Sequence, residues 1–190
     1  EGLSRVRADA VLAGANTVRG ANLVLSCWHP ELVQLRRKLG KPIHPKQIVV
    51  SGSGNIDLEN ELMFNLPDIP VIIITTDDGG KRLAPQADQR SYLFVLKTGP
   101  RLDLRYGLRL LRRYHGIKLI SAIGGRTTAS QLFDDGLVTD LYLTTAAVPG
   151  GTPKTPFYVG DKGLPKLRLV LTKEGLGEEK GVKFEHFVVI

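Results

Sequence analysis

The run Val71-Ile-Ile-Ile-Thr75 limits the choice of folds more than any other stretch of this chain. Its residues are all β-branched, which stiffens χ1 and favours a strand over a helix. It also lacks any polar alternation, so both faces of that strand are apolar. Such a strand belongs inside a sheet that is covered on both sides, the usual setting of central parallel strands. Comparable short runs predict strands at Ala10–Ala13, Gln47–Ser51, Tyr92–Leu96 and Ile117–Ile123.

Helical patterns fall between these runs. Over Pro30–Leu39, Leu32, Leu35 and Leu39 share a stripe, with Pro30 suited to the first turn and Gly40 to the stop. Over Asp103–Tyr114, Leu104, Leu108 and Leu111 share one face, and Arg105, Arg109 and Arg112 form an opposite, solvated one. A third helix is predicted over Thr127–Asp135. Three closing strands, Asp140–Ala147, Lys166–Thr172 and Val182–Ile190, follow with no good helix between them, and their alternation favours antiparallel pairing. The expectation is a single α/β domain: three layers, α/β/α, around a mixed, mostly parallel central sheet with antiparallel C-terminal strands. The Gly/Pro-rich piece Val148–Phe157 is expected to be a loop, a candidate cover for a site.

Composition removes several classes of function. The chain carries 26 Lys and Arg against 19 Asp and Glu, a net charge of +7. The basic residues are dispersed and aromatics make up only 6%. That favours an ordinary basic surface, or a pocket for small anions, over a nucleic-acid binder. No apolar run approaches the ~20 residues of a membrane span, and the charged, polar opening EGLSRVRADA gives no expectation of a signal peptide. Cys27 is a lone cysteine with no internal disulfide partner, so the expected compartment is the cytoplasm. His29, His44, His115 and His186 lack metal-ligand spacing, and no metal is expected. The hydrolase elbow G-x-S-x-G and the P-loop motif are both missing.

Three strand ends repeat one grammar. Ile123-Gly124-Gly125-Arg126-Thr127-Thr128 runs from a strand through a glycine pair into a helix. Glycine allows positive φ and close approach of a ligand, and free N–H groups at a helix start favour an anion. A plain turn with Thr127 as N-cap fits the same residues. Ala13-Gly14-Ala15-Asn16-Thr17 repeats the pattern after the first strand, and Ser51-Gly52-Ser53-Gly54 after the second. Three such ends suggest one extended anionic ligand. The SGSG run also begins a partial G-x-G-x-x-G, with Asp77 loosely placed as a ribose-binding acid. Asp57, however, stands where the third glycine belongs, and the segment up to Pro70 leaves little room for a crossover helix. Trp28 could flank a planar ring near these ends, or simply pack at the surface.

The segments RADAVLAGANTVR, IVVSGSG, VIIITT and IGGRTTASQLFDDGLVTDLYL occur in this order over nearly the whole chain. Together they resemble the reductase domain of riboflavin biosynthesis, within the dihydrofolate-reductase-like superfamily. The resemblance implies an NADPH-dependent reductase that transfers hydride to a C=N or C=O carbon of a pyrimidine-type substrate. It implies cofactor contacts from Gly14, Asn16 and Thr17, from Ser51, Gly52 and Ser53 near the adenosine side, and from Gly124, Gly125, Arg126, Thr127 and Thr128 at the pyrophosphate. It further implies a homodimer. No side chain stands out as a proton donor, so the catalytic residues are unknown. Three departures are visible. Ile123 replaces the family's usual acidic residue, Arg19-Gly-Ala-Asn-Leu replaces its acidic pair and proline, and the leading strand with its S-x-D-G segment has no counterpart here. A dihydrofolate-type reductase acting on a pteridine and a non-catalytic dinucleotide-binding relative are therefore the alternatives.

Overall fold

A computed structural model describes residues 2–19, 23–123, 125–146, 165–177 and 180–190. The elements run α1 (Gly2–Arg7), β1 (Ala10–Gly14), α2 (Ala15–Val18), α3 (Pro30–Lys38), β2 (Lys46–Val50) and a short 3-10 turn (Leu62–Phe64). They continue with β3 (Val71–Thr75), α4 (Asp77–Ala87), β4 (Leu93–Lys97), α5 (Leu104–His115), β5 (Ile120–Ala122) and α6 (Arg126–Asp134). Three strands close the chain: β6 (Asp140–Thr145), β7 (Leu167–Glu174) and β8 (Lys183–Val189). The chain divides into two compact units, Glu1–Thr128 and Ala129–Ile190.

The first unit holds a five-stranded parallel sheet in the order β4-β3-β2-β1-β5. β1 and β3 are buried along their whole length, as their unbroken apolar character requires. One face of the sheet joins Val11, Ala13, Val49, Val71 and Ile73 to Leu83 and Ala87 of α4 and to Met63 and Phe64. On the other face Gly107 of α5 lies against Ile74, close enough that an added Cβ would sit 3.0 Å from its Cγ2. Gln47 is fully buried on the first face and satisfied: Oε1 accepts from Leu25 N–H at 2.7 Å and Nε2 donates to the Met63 carbonyl at 3.3 Å.

The second unit is an antiparallel sheet in the order β6-β8-β7, with a register shift between Leu169 and Leu171. The expected fold class holds: a mostly parallel central sheet flanked by helices, with antiparallel C-terminal strands. Parallel and antiparallel strands, expected in one mixed sheet, are hydrogen-bonded as two among the described residues. Val148–Phe157 lies outside those residues.

Two differences from the sequence expectation have clear causes. The predicted strand Ile117–Ile123 contracts to β5 because Asp9 captures the backbone N–H groups of Lys118 and Leu119, both at 2.9 Å, and pairing begins only at Ala10↔Ile120. Helix α4 was not expected, since DDGGKRLAPQA contains two glycines and Pro85. It is capped by Thr76, whose hydroxyl accepts from Gly79 N–H at 3.1 Å, and held by burial of Leu83 and Ala87.

Candidate functional site

Between β1 and β5 the order of the parallel sheet reverses: from β1 the chain proceeds outward through β2, β3 and β4, then returns to β5 on the other side. In open α/β sheets a crevice forms outside the carboxyl ends of the strands at such a switch point. Two of the three predicted corners lie there, and the third follows β2, the other neighbour of β1.

The corners after β1 and β5 touch. Gly14 sits so close to Thr128 that an added Cβ would overlap Thr128 Oγ1. An added Cβ on Gly125 would lie 2.9 Å from Thr17 Oγ1. Gly14 has ordinary extended backbone (φ −76°), so contact is what requires glycine there. Gly125 adopts φ +76°, so both conformation and contact require it. Thr128 is buried and Thr17 half-buried, while Arg126, Thr127 and Asn16 are exposed. Helix α6 begins at Arg126, one residue before expectation, and has no acidic residue in its first turn. Gly124 lies outside the described residues.

In the third corner the glycines of SGSG do different work. Gly54 has φ +63°, and an added Cβ would overlap the backbone of Gly79 in α4, so internal packing explains it. Gly52 has no such reason, because its Cβ would meet open space. Its carbonyl accepts from the Thr76 hydroxyl at 2.8 Å, which fixes the corner against α4. Ser51 is buried and anchored by its N–H to the Ile74 carbonyl at 3.0 Å. Ser53 spends its hydroxyl accepting from Asn55 N–H at 3.2 Å. Asp57 accepts from the N–H groups of Glu59 and Asn60 and from Asn60 Nδ2. These bonds, the Asn60 side chain first, hold its carboxyl below the usual range. Asp57 is thus a turn cap and does not complete a glycine fingerprint. Between β2 and β3 the only helical piece among the described residues is the 3-10 turn, which removes the Rossmann crossover. Asp77 is the first residue of α4, with its N–H bonded to the Gly99 carbonyl at 2.8 Å.

Two positioning groups escaped the sequence. Arg19 donates Nη1 to Asn16 Oδ1 at 3.0 Å and Nη2 to the Asn55 carbonyl at 3.1 Å, tying the corner after β1 to the loop after β2. Nothing local in the sequence announces that link. Thr76 could have been found, since a threonine followed by two acidic residues is a helix-start signal. Ile123 packs against the core and donates its N–H to the Leu12 carbonyl at 2.8 Å, so it faces inward. Trp28 is exposed and tilted against His44, ring centroids 5.2 Å apart, just ahead of the amino end of β2. It is therefore packed at the surface, near the end of the sheet opposite the corners. Among the described residues no group of three or more His, Cys, Asp or Glu is placed to hold a metal ion, and no helix is long and apolar enough to cross a membrane.

The family model for the RibD C-terminal domain matches residues 3–176. A pyrimidine reductase-like protein from Corynebacterium diphtheriae superposes with a TM-score of 0.76 at 26% identity, over 100% of this chain and 79% of that one. The Thermotoga maritima diaminohydroxyphosphoribosylaminopyrimidine deaminase/5-amino-6-(5-phosphoribosylamino)uracil reductase gives 0.73 at 17% identity, over 100% of this chain and 47% of that one. The Saccharomyces cerevisiae riboflavin biosynthesis reductase Rib7 gives 0.67 at 16%, over 100% and 78%. The last two likenesses concern the fold alone. No curated protein sequence matches the chain.

Proposed function

We propose a reductase function for this chain, which belongs to the RibD C-terminal domain family. In this proposal the enzyme uses NADPH to reduce an electrophilic C=N or C=O carbon in a pyrimidine-type substrate. The observation that carries it is the interlock of Gly14 with Thr128 and of Gly125 with Thr17 at the switch point, with the open Gly52 position on the neighbouring strand. These features fit a dinucleotide: two small-residue corners at a strand-end crevice, a helix start without acidic residues, and a third corner with room for backbone approach.

When bound, the reduced nicotinamide would supply the hydride. The chain's own part is to bind and orient. Arg126 offers charge, and Thr127, Thr128 and Thr17 offer hydroxyls at the corners after β5 and β1. After β2, Ser51 offers its hydroxyl, Gly52 its backbone, and Ser53 the hydroxyl hydrogen left after its oxygen accepts from Asn55 N–H. Holding reacting atoms ~3–3.5 Å apart can lower a barrier by several kcal/mol without a protein acid or base.

Leu143 and Leu169, on one face of the C-terminal sheet, are exposed apolar surface that a second copy of the chain would cover, in support of a homodimer. Its mass in sedimentation analysis tests that part.

The main test is titration with NADPH followed by absorbance at 340 nm with pyrimidine and pteridine substrates. Saturable binding with turnover on a pyrimidine is the expected result. Saturable binding without turnover on either class would favour the non-catalytic alternative. Gly52→Val should stay folded, because the new side chain meets open space, and should weaken NADPH binding by at least tenfold. A folded variant with unchanged affinity would remove the third corner from the site.

A further inference from the structure

At the opposite end of the same sheet, ahead of the amino ends of β1, β2 and β3, lies a cavity of about 670 Å³. Its walls include Ile43, Pro70 and Ile117, with His44, Lys46 and His115 among them. Asp9, Pro42 and Asp68 also line it. We infer that this cavity is a second small-molecule site, independent of the glycine corners, that takes an organic anion with a planar apolar body.

The charge layout favours an anion. Asp9 is already committed: it is ion-paired with Lys41 and accepts two backbone N–H groups. Lys46 donates one hydrogen bond to a neutral partner, the His115 carbonyl at 3.0 Å, which leaves its other N–H groups for a ligand. Behind the Pro42 wall lies Arg36, fully buried. Its guanidinium bonds only backbone carbonyls, those of Pro42, Arg5, Val6 and Ala8, and Nη2 has no partner. The Asp9 charge offsets part of the cost of burying this cation, and an anion in the adjoining cavity would offset more of it. Asp68, at an exposed position, is the opposing charge not already paired with a lysine.

Both imidazoles report the same field. Burial, then the Arg36 charge, pushes His44 below its ordinary value, with Asp68 opposing. Burial, then Lys46, does so for His115. Each is therefore a neutral ring near pH 7. His44 Nδ1 is engaged with Ser26 Oγ at 2.7 Å and its ring leans on Trp28. His115 meets Phe94 edge-on at 5.5 Å. The two imidazoles, set among Ile43, Pro70 and Ile117, suit a flat apolar body, and Lys46 suits its charged group.

The test uses 2-naphthoate as the probe, titrated into the ¹⁵N-labelled full chain, with 2-naphthylmethylamine as the cationic control. Saturable shifts should appear at the amides of Ile43, His44, Lys46, His115 and Ile117, and not at Gly14, Gly52 or Gly125. The amine should bind at least tenfold more weakly. Lys46→Met should weaken naphthoate about tenfold, and Lys46→Arg should restore it. Ile43→Asp, at a position already exposed, should abolish binding by adding a like charge. No saturable shift at those amides, equal binding of the amine, or unchanged affinity in folded Lys46→Met and Ile43→Asp would overturn the proposal. None of these readouts depends on the dinucleotide.

Discussion

Where β1, β2 and β5 end, the chain turns on Gly14, Thr17, Ser51, Gly52, Gly125 and Thr128; where β1 and β2 begin, it carries Asp9, His44 and Lys46. One sheet thus has an end built by removing side chains and an end built by adding charge. The difference shows what each end can do. Corners of small residues let backbone and hydroxyl groups reach a ligand, and their own fit is limited by contact: a single methyl group at Gly14 or Gly54 would strike a neighbour. The charged end holds its shape through specific pairs, Asp9 with Lys41 and Lys46 with the His115 carbonyl, and titrates with pH.

The hardest test of that contrast is Gly54→Ala. The alanine would sit at φ +63° with its Cβ overlapping the backbone of Gly79. Left-handed strain and the forced shift together should cost about 3 kcal/mol. Urea unfolding would read it as a lower midpoint at unchanged slope. A loss under about 1 kcal/mol would mean that the third corner yields, and the separation of a packing glycine at 54 from a ligand-facing glycine at 52 would fail.

Gly125→Ala comes next. Positive φ and the Thr17 hydroxyl at 2.9 Å oppose it, at an expected cost of about 2 kcal/mol. Adding Thr17→Ala removes the contact and leaves the strain, so the pair should recover roughly half of the loss. Full recovery would show that contact alone sets this corner; no recovery would show that conformation does.

The sheet could be read from the sequence because its strands are short, apolar and β-branched, and the corners because glycine and hydroxyl residues cluster at strand ends. What remained hidden depends on partners far away in the chain. The start of β5 is set by Asp9, 109 residues before Lys118. Helix α4 owes its existence to burial against β4, which outweighs a sequence with two glycines and a proline. Within SGSG the residues look equivalent, and only the approach of Gly79 separates Gly54 from Gly52. Arg36 looks like a solvated residue of a basic helix, yet it is fully buried because four backbone carbonyls meet at its guanidinium.

The smallest effect belongs to the charged end and carries a pH signature. Burial, the largest single influence on Asp9, raises its carboxyl, but Lys41 and the N–H groups of Leu119 and Lys118 together outweigh burial and hold it below the usual carboxylate range. A carboxyl lowered in the folded state stabilises the fold at pH values above its unfolded pKa, and that contribution is lost as pH falls through the folded one. Asp9→Asn should therefore cost about 1 kcal/mol near pH 7, and the gap to the parent protein should close steadily below about pH 4. Urea midpoints for both proteins at pH 7 and at pH 3 would measure it. A gap that stayed constant across that range would mean Asp9 acts through shape alone, and the contrast between a charge-built end and a contact-built end would lose its best-defined pair.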